Sequence, residues 1–219
     1  MTEKLSHYFI EDETLESNIE HFSYYYKAER FELISDSGMF SQGRVDAATD
    51  LLLHRLPEMH GRLLDLGCGY GVIGIVLAKT CGLDVTLADV NGRALECARK
   101  NSEANGVRVE LVKSDCFENI GGAFDYITLN PPIHAGKAVM TAMYKGARDH
   151  LNPGGRFFVV IQKKHGAEST QKALAAIFGN CRAIYKKKGY FVFECVRMEE
   201  DGEETKTVVL QRENQAETM

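Results

Sequence analysis

The chain has 219 residues, of which 44% are hydrophobic and 26% charged, and its formal net charge is −5. That length and apolar content suit a single α/β domain with a small appendage. The negative balance excludes a broadly basic nucleic-acid binder, so any contact with RNA or DNA must rest on a local patch.

Residues 1–60 read as an N-terminal extension packed on a larger domain. The aromatic-rich stretch 21–34, with Tyr24, Tyr25, Tyr26 and Phe31, predicts one or two strands, and 45–56 has the spacing of an amphipathic helix. The main domain is predicted over 61–198. Strands at 62–66, 84–89, 107–112, 124–129 and 156–162 alternate with helices at 71–80, 92–105, 137–151 and 166–178. This alternation argues for a parallel sheet with helices on both faces, and the short apolar strands fit burial on both sides. Two final runs, 181–187 and 190–197, are joined by a tight turn at Lys188-Gly189 and so form a hairpin. A hairpin is antiparallel, so the sheet finishes with one reversed strand. The segment 199–219 is acidic and polar; it is expected to supply an edge strand at 206–210 and then a frayed end.

No apolar run approaches the roughly 20 residues of a membrane helix. Residues 1–10 lack the basic-then-apolar pattern of a signal peptide, so a cytoplasmic location is expected. The cysteines (Cys68, Cys81, Cys97, Cys116, Cys181, Cys195) are scattered without a CxxC pair. Neither a metal site nor a redox pair is expected from them; reduced, mostly buried thiols are.

The stretch LLDLGCGYGVIGIVLA, residues 63–78, carries the first chemical signal. A strand ends at Asp65, glycines follow at Gly67, Gly69 and Gly71, and a helix begins. Glycines at a strand-to-helix turn let backbone approach a ligand closely. The dinucleotide fingerprint G-x-G-x-x-G would need glycine at position 72, which is Val72, so the pattern is D-x-G-x-G-x-G. The second strand of this domain ends at Asp89, about 20 residues on, where a carboxylate can accept both hydroxyls of a ribose. Asp115 follows the third strand. Asp65, Asp89 and Asp115 thus share the carboxyl edge of the sheet, where open α/β sheets bind ligands. The competing reading is of ordinary turn glycines and loop aspartates.

Taken together, DLGCGYG, the acidic end of the next strand and SDCF (residues 114–117) resemble the class I S-adenosylmethionine-dependent methyltransferases. The resemblance implies a Rossmann-like fold with a seven-stranded, mostly parallel sheet and one antiparallel strand. It implies S-adenosylmethionine over Asp65, Gly67, Cys68, Gly69 and Gly71, its ribose on Asp89, and its adenine near Val90, Asp115 and Cys116. Asn130-Pro131-Pro132-Ile133, at the end of the fourth strand, is similar to the N/D-P-P-aromatic motif of methyltransferases acting on planar amino groups. Asn130 would then stand beside the cofactor as well. In that motif the Asn130 side-chain oxygen and the Pro131 carbonyl each accept one N–H of the target nitrogen, while Pro132 stiffens the turn. The aromatic fourth position is Ile133 here, which keeps an apolar wall but loses stacking.

Four further stretches narrow the resemblance: DSGMFSQGRVDAATDLLL (36–53), NPPIHAG (130–136), VIQKKHGAEST (160–170) and KKKGYFVF (186–193). With HYFI (7–10), they make the chain similar to the single-domain members of the small-subunit ribosomal RNA guanine-N2 methyltransferase family, over residues 6–197. The resemblance implies methyl transfer to a guanine amino group in ribosomal RNA, with Phe40 in a segment covering the cofactor, or else simply packed in the core. Asp46 would fix that cover, or act as a first-turn carboxylate of the helix. His134 would touch substrate, or be an ordinary loop histidine.

The predicted topology places Lys163-Lys164 and Lys186-Lys187-Lys188 at the same sheet edge as Asn130, since strands four, five and six run parallel. Lys163, Lys164 and Lys187 would form a basic rim for phosphate contacts on an acidic protein, or protect a sheet edge. The expected partner is ribosomal RNA or the small ribosomal subunit, with no membrane and with the chain as monomer or homodimer. Two alternatives stay open: methylation of another planar nitrogen (an adenine amino group or a protein glutamine amide), and a non-catalytic cofactor-binding assembly module.

Overall fold

The computed structural model describes residues 16–39, 41–132 and 136–199. The chain opens with a hairpin, β1 (Glu20–Tyr26) and β2 (Glu29–Ser35), followed by helix α1 (Ala47–Leu53). The main domain then runs β3 (Arg62–Leu66), α2 (Val72–Cys81), β4 (Asp84–Asp89), α3 (Gly92–Ala104), β5 (Glu110–Lys113), β6 (Phe124–Leu129), α4 (Gly136–Asp149) and β7 (Leu151–Gln162). It ends with α5 (Ala167–Phe178), β8 (Arg182–Lys187) and β9 (Tyr190–Val196). The predicted strand at 206–210 and the polar end lie outside the described residues, as do Phe40, Ile133, His134 and the HYFI stretch.

The seven-stranded sheet has the order β5-β4-β3-β6-β7-β9-β8. β3 through β7 pair in parallel, and β9 is antiparallel to both β7 and β8. The expected mostly parallel sheet with a single reversed strand is therefore present, and the reversed strand lies between its neighbours rather than at the rim. Both faces are buried along the central strands, as their composition required, while the edge strands β5 and β8 have no buried residue. Along β7, Phe158 and Val160 face the core shared with α1, α2 and the N-terminal hairpin. Phe157, Val159 and Ile161 face the core shared with α4 and α5.

Three boundaries differ from expectation, each for a local reason. The third main-domain strand starts at Glu110, because Val107 is used to close α3. Val107 N–H donates to Ser102 C=O at 3.0 Å and Gly106 N–H to Glu103 C=O at 3.1 Å, with Gly106 at φ 67°. That is the Schellman closure, which commits the residues after the helix to its last carbonyls. β7 begins five residues early, at Leu151, and α4 stops at Asp149 to release it. Phe124 pairs Leu151 while Tyr126 pairs Arg156, so Asn152 to Gly155 bulge out of register. α1 is shorter than 45–56, since Asp46 caps its start and Arg55 N–H turns back to Leu52 C=O at 2.9 Å.

The hairpin is held to the domain by two asparagines of the α3 region. Asn101 accepts from Ile34 N–H (2.7 Å) and donates to Ile34 C=O (3.0 Å). Asn105 does the same with Glu32, at 3.1 and 2.8 Å. Each side-chain amide substitutes for a residue of a third strand, satisfying the outer edge of β2.

Candidate active site

The carboxyl ends of β3, β4, β5 and β6 converge on one edge of the sheet, and most predicted site residues lie there. The turn after β3 needs three left-handed residues in alternation: Gly67 (φ 65°), Gly69 (φ 55°) and Gly71 (φ 89°). The positions do different things. A Cβ on Gly69 would meet nothing within 4 Å, so this glycine faces open space at the turn. A Cβ on Gly71 would lie 2.9 Å from Ile75 and 3.0 Å from Leu87, so packing also requires glycine there. The close helix-to-strand approach that Val72 cannot provide is supplied two residues on. A Cβ at Gly74 would fall 2.2 Å from Leu87 Cδ2.

Asp65 lies beneath this turn. Its carboxylate accepts from Gly74 N–H (3.1 Å) and Thr128 Oγ1 (3.0 Å), and burial pushes its pKa up to about 7. With both oxygens so engaged, it braces the start of α2 against β6. Asp89, at the end of β4, accepts from Gly69 N–H (2.8 Å) and Asn91 N–H (2.9 Å). Burial raises its pKa against those hydrogen bonds. Asn91 in turn caps α3, so the glycine turn, Asp89 and the helix start form one connected unit. The Cys68 thiol is held well above its usual value by burial and then by the carboxylates of Asp89 and Asp65. Val90 is half-buried beside Asp89.

On the neighbouring strand, Asp115 is exposed after β5. Cys116 adopts φ 48°, its carbonyl accepting from Ser114 Oγ at 3.1 Å, and burial followed by Asp115 lifts its thiol to about 11. Behind it, Phe117 stacks on His150 with centroids 4.6 Å apart.

Asn130, Pro131 and Pro132 follow β6 directly. β3 pairs β6 with Leu66 opposite Leu129, so the elbow leaves the sheet beside the glycine turn. The Asn130 amide is tied to the N-terminal segment: Nδ2 donates to Asp46 Oδ2 (3.1 Å) and to Thr49 Oγ1 (3.0 Å). Asp46 also caps α1, accepting from Ala48 N–H at 2.8 Å and Thr49 N–H at 3.3 Å. Asp46 is thus the N-cap of α1, one residue ahead of the first-turn place expected for it, and the same carboxylate meets the Asn130 amide. Tyr70, inside the glycine turn, donates to Arg44 C=O at 2.7 Å and packs edge-on against Phe22, 6.0 Å between centroids. It thereby holds the segment before α1 over the turn.

Tyr70, Thr49, Thr128 and Gly74 were not among the candidates read from the sequence. Thr49 alone had a visible signal, standing three residues after a helix-capping aspartate on the same first turn.

The basic runs meet at the same edge. Gln162 pairs Tyr190, which pairs Lys187, and Lys163 N–H donates to Gly189 C=O at 2.8 Å. Lys163, Lys164 and Lys187 are exposed, and Lys186 sits over the Phe191 ring at 5.4 Å. β6 ends opposite Val159, three residues short of Gln162, so the lysines stand about 10 Å further out than Asn130 along the strand direction. Among the described residues, no group of three or more His, Cys, Asp or Glu could hold a metal ion.

This constellation has relatives. Residues 30–194 match the methyltransferase small domain family. The chain belongs to that family. It is 38% identical over 198 residues to the protein YbxB of Bacillus subtilis (strain 168), spanning 88% of this chain and 98% of that one. It is also 45% identical over 129 residues to ribosomal RNA small subunit methyltransferase C of Aeromonas hydrophila, spanning 56% of this chain and 37% of that one. Among solved structures, the N2 G1207 methyltransferase of Thermus thermophilus 16S rRNA, in complex with AdoMet and guanosine, superposes with a TM-score of 0.74 at 30% identity. That match covers 82% of this chain and 50% of the other. This member of the methyltransferase small domain family thus spans half or less of those two methyltransferases, but nearly all of the Bacillus relative.

Proposed function

We propose that this chain transfers a methyl group from S-adenosylmethionine to the exocyclic amino group of a guanine in small-subunit ribosomal RNA. The observation carrying the proposal is the Asn130-Pro131-Pro132 elbow, emerging beside the glycine turn with its amide anchored to α1. The cofactor fits this site on the chain's own features. Gly69 leaves the turn open, Asp89 offers carboxylate oxygens at the end of β4, and Val90 and Cys116, following β4 and β5, are each half-buried at the same sheet edge. Gly67, Cys68, Gly69 and Gly71 would line the methionine part, with Asp65 bracing them from below. Bound there, S-adenosylmethionine supplies an electrophilic methyl on a sulfonium sulfur.

The amino group of guanine is a weak nucleophile because its lone pair is delocalised into the ring. Asn130 Oδ1 and Pro131 C=O can each accept one of its two N–H bonds. That turns the lone pair out of the ring plane and favours a pyramidal nitrogen as positive charge develops. Pro132 has no N–H and limits backbone freedom, so the acceptors are placed before reaction. The surplus proton on the methylated nitrogen can leave to water, so no strong base is required. Ile133 and His134 would flank the base, and Phe40 would cover the cofactor. Lys163, Lys164 and Lys187 would contact phosphates flanking the target, which must be extruded from any helix to reach the elbow.

The support is the family membership, the relatives named for small-subunit rRNA methylation, and the pairing of an Asn-Pro-Pro elbow with a basic rim on an acidic protein. Among the described residues no helix is long and apolar enough to cross a membrane. The proposed setting is ribosomal RNA in the cytoplasm, with the chain as a monomer or homodimer. The test is transfer of radiolabelled methyl from S-adenosylmethionine to small subunits lacking their own modification, followed by nucleoside analysis. Label is expected in N2-methylguanosine, with Asn130→Ala lowering kcat by about 100-fold or more. Label in N6-methyladenosine or in protein glutamine would overturn the guanine assignment, and cofactor binding without transfer would favour the assembly module.

A further inference from the structure

The Asn130 amide has two faces, and only one of them serves the chemistry just described. Its oxygen accepts an N–H from the target nitrogen, whereas its NH2 would confront the same N–H donor to donor. A side-chain amide has no intrinsic preference between the two orientations. Something must choose. The structure holds the choice in the N-terminal segment, outside the elbow itself.

Asn130 Nδ2 has two N–H bonds, and two acceptors meet it: Asp46 Oδ2 at 3.1 Å and Thr49 Oγ1 at 3.0 Å. A carboxylate can only accept, so the amide group facing Asp46 must be NH2 whatever the ligand state. Thr49 is buried, at 8% exposure, and takes the second N–H. Asp46 is itself fixed by accepting from the Ala48 and Thr49 N–H groups at the start of α1, and the Asn130 side chain is partly buried. Among the described residues, no donor reaches Asn130 Oδ1.

We propose that Asp46 and Thr49 are positioning residues that lock the Asn130 amide with Oδ1 toward the substrate amino group. The inference rests on the methyl-transfer reading and deepens it. The first turn of α1, 81 to 84 residues earlier in the chain, sets the polarity of the reacting elbow. A flipped amide would leave the site folded and cofactor-competent, but would present a donor where the reaction needs an acceptor.

The polarity can be reversed and then restored. Asp46→Asn keeps the shorter half of the cap, its oxygen accepting from Ala48 N–H as Asp46 Oδ1 does, and gives up the longer Thr49 N–H contact made by Oδ2. Its new NH2 faces Asn130, so the Asn130 oxygen turns inward and its NH2 outward. A kcat loss of roughly 100-fold is expected, of the size seen when one well-placed donor or acceptor is lost, with cofactor Kd within about twofold of the parent. Asn130→Asp alone sets two carboxylates against each other and is also expected to lose activity. The double variant Asp46→Asn/Asn130→Asp restores a donor facing an acceptor and again aims an oxygen at the substrate. It should recover at least about tenfold in kcat over either single variant. Thr49→Val should lower kcat, while Thr49→Ser, which keeps the hydroxyl, should not.

Side-chain amide exchange supplies a readout that needs no substrate. In 15N-labelled protein, the Asn130 NH2 resonance is identified by its loss in Asn130→Ala. Both of its protons should exchange more slowly than a free amide, and Thr49→Val should speed one of them. Full kcat in Asp46→Asn, no recovery in the double variant, or free-amide exchange at Asn130 would each overturn the lock. Protected Asn130 protons in a wild-type chain that methylates no RNA would uphold the lock and refute the substrate reading instead.

Discussion

Replacing Asp65 by asparagine should flatten the pH dependence of this protein's stability. Asp65 is buried beneath the glycine turn, where its oxygens meet one N–H and one hydroxyl, and burial raises its pKa from 3.8 to about 7. The folded state therefore holds the proton more tightly than the unfolded chain does. Stability from this group is fully present below about pH 4, and it is lost as pH rises toward 7. At about 1.4 kcal/mol per pH unit, the three-unit gap is worth about 4 kcal/mol, of which about 3 kcal/mol falls between pH 5 and pH 8. The substituted amide would carry no charge at any pH and could keep both contacts, accepting from Gly74 N–H and donating to Thr128. The stability of Asp65→Asn relative to the parent should thus grow by about 3 kcal/mol from pH 5 to pH 8, a large share of a typical domain's total. Urea unfolding followed by far-ultraviolet circular dichroism at each pH measures this, and the absence of tryptophan makes circular dichroism the natural probe. Parallel stability curves for the two proteins would show that Asp65 does not carry a raised pKa, and the reasoning from its burial would fail.

Gly74→Ala places a methyl 2.2 Å from Leu87 and 2.8 Å from Val85, both in the core, and should cost about 1–3 kcal/mol by urea unfolding. Adding Leu87→Ala should make the two changes less than additive, since the clash is then relieved. For the basic rim, a variant with Lys163→Ala, Lys164→Ala and Lys187→Ala should bind target RNA with a shallower salt dependence. The slope of log K against log salt should fall by about 2–3, at roughly 0.7–0.9 per lost phosphate contact, with cofactor affinity unchanged. An unaltered slope would return these lysines to the role of sheet-edge protection.

Local patterns carried much of the architecture. The alternation of apolar strands with amphipathic helices follows from side-chain periodicity, which a single sequence displays directly. The glycine turn was legible because left-handed backbone demands glycine at 67, 69 and 71. Asp89, Asn130 and the lysine runs were legible as strand ends, since topology alone assigns strand ends to one edge. The relation to a methyltransferase family was carried by those same motifs.

What escaped the sequence is what depends on partners distant in the chain. Val107 looks like a strand residue, but a helix end five residues earlier claims its N–H. Gly74 looks like a helix glycine of no consequence until Leu87 and Val85 are seen against it. Asp65 reads as a ligand-facing carboxylate, yet both its oxygens are committed to protein donors, one on a strand 63 positions away. Asn101 and Asn105 read as ordinary helix-end residues, and their role as a substitute strand appears only when the hairpin lies beside them. Asp46 and Thr49 read as the opening of a helix, and only folding brings that opening to the Asn130 amide. Residue type and spacing thus determined which chemistry the chain can carry and at which sheet edge. Hydrogen-bond direction and close packing, set between segments far apart in sequence, decided how that chemistry is held.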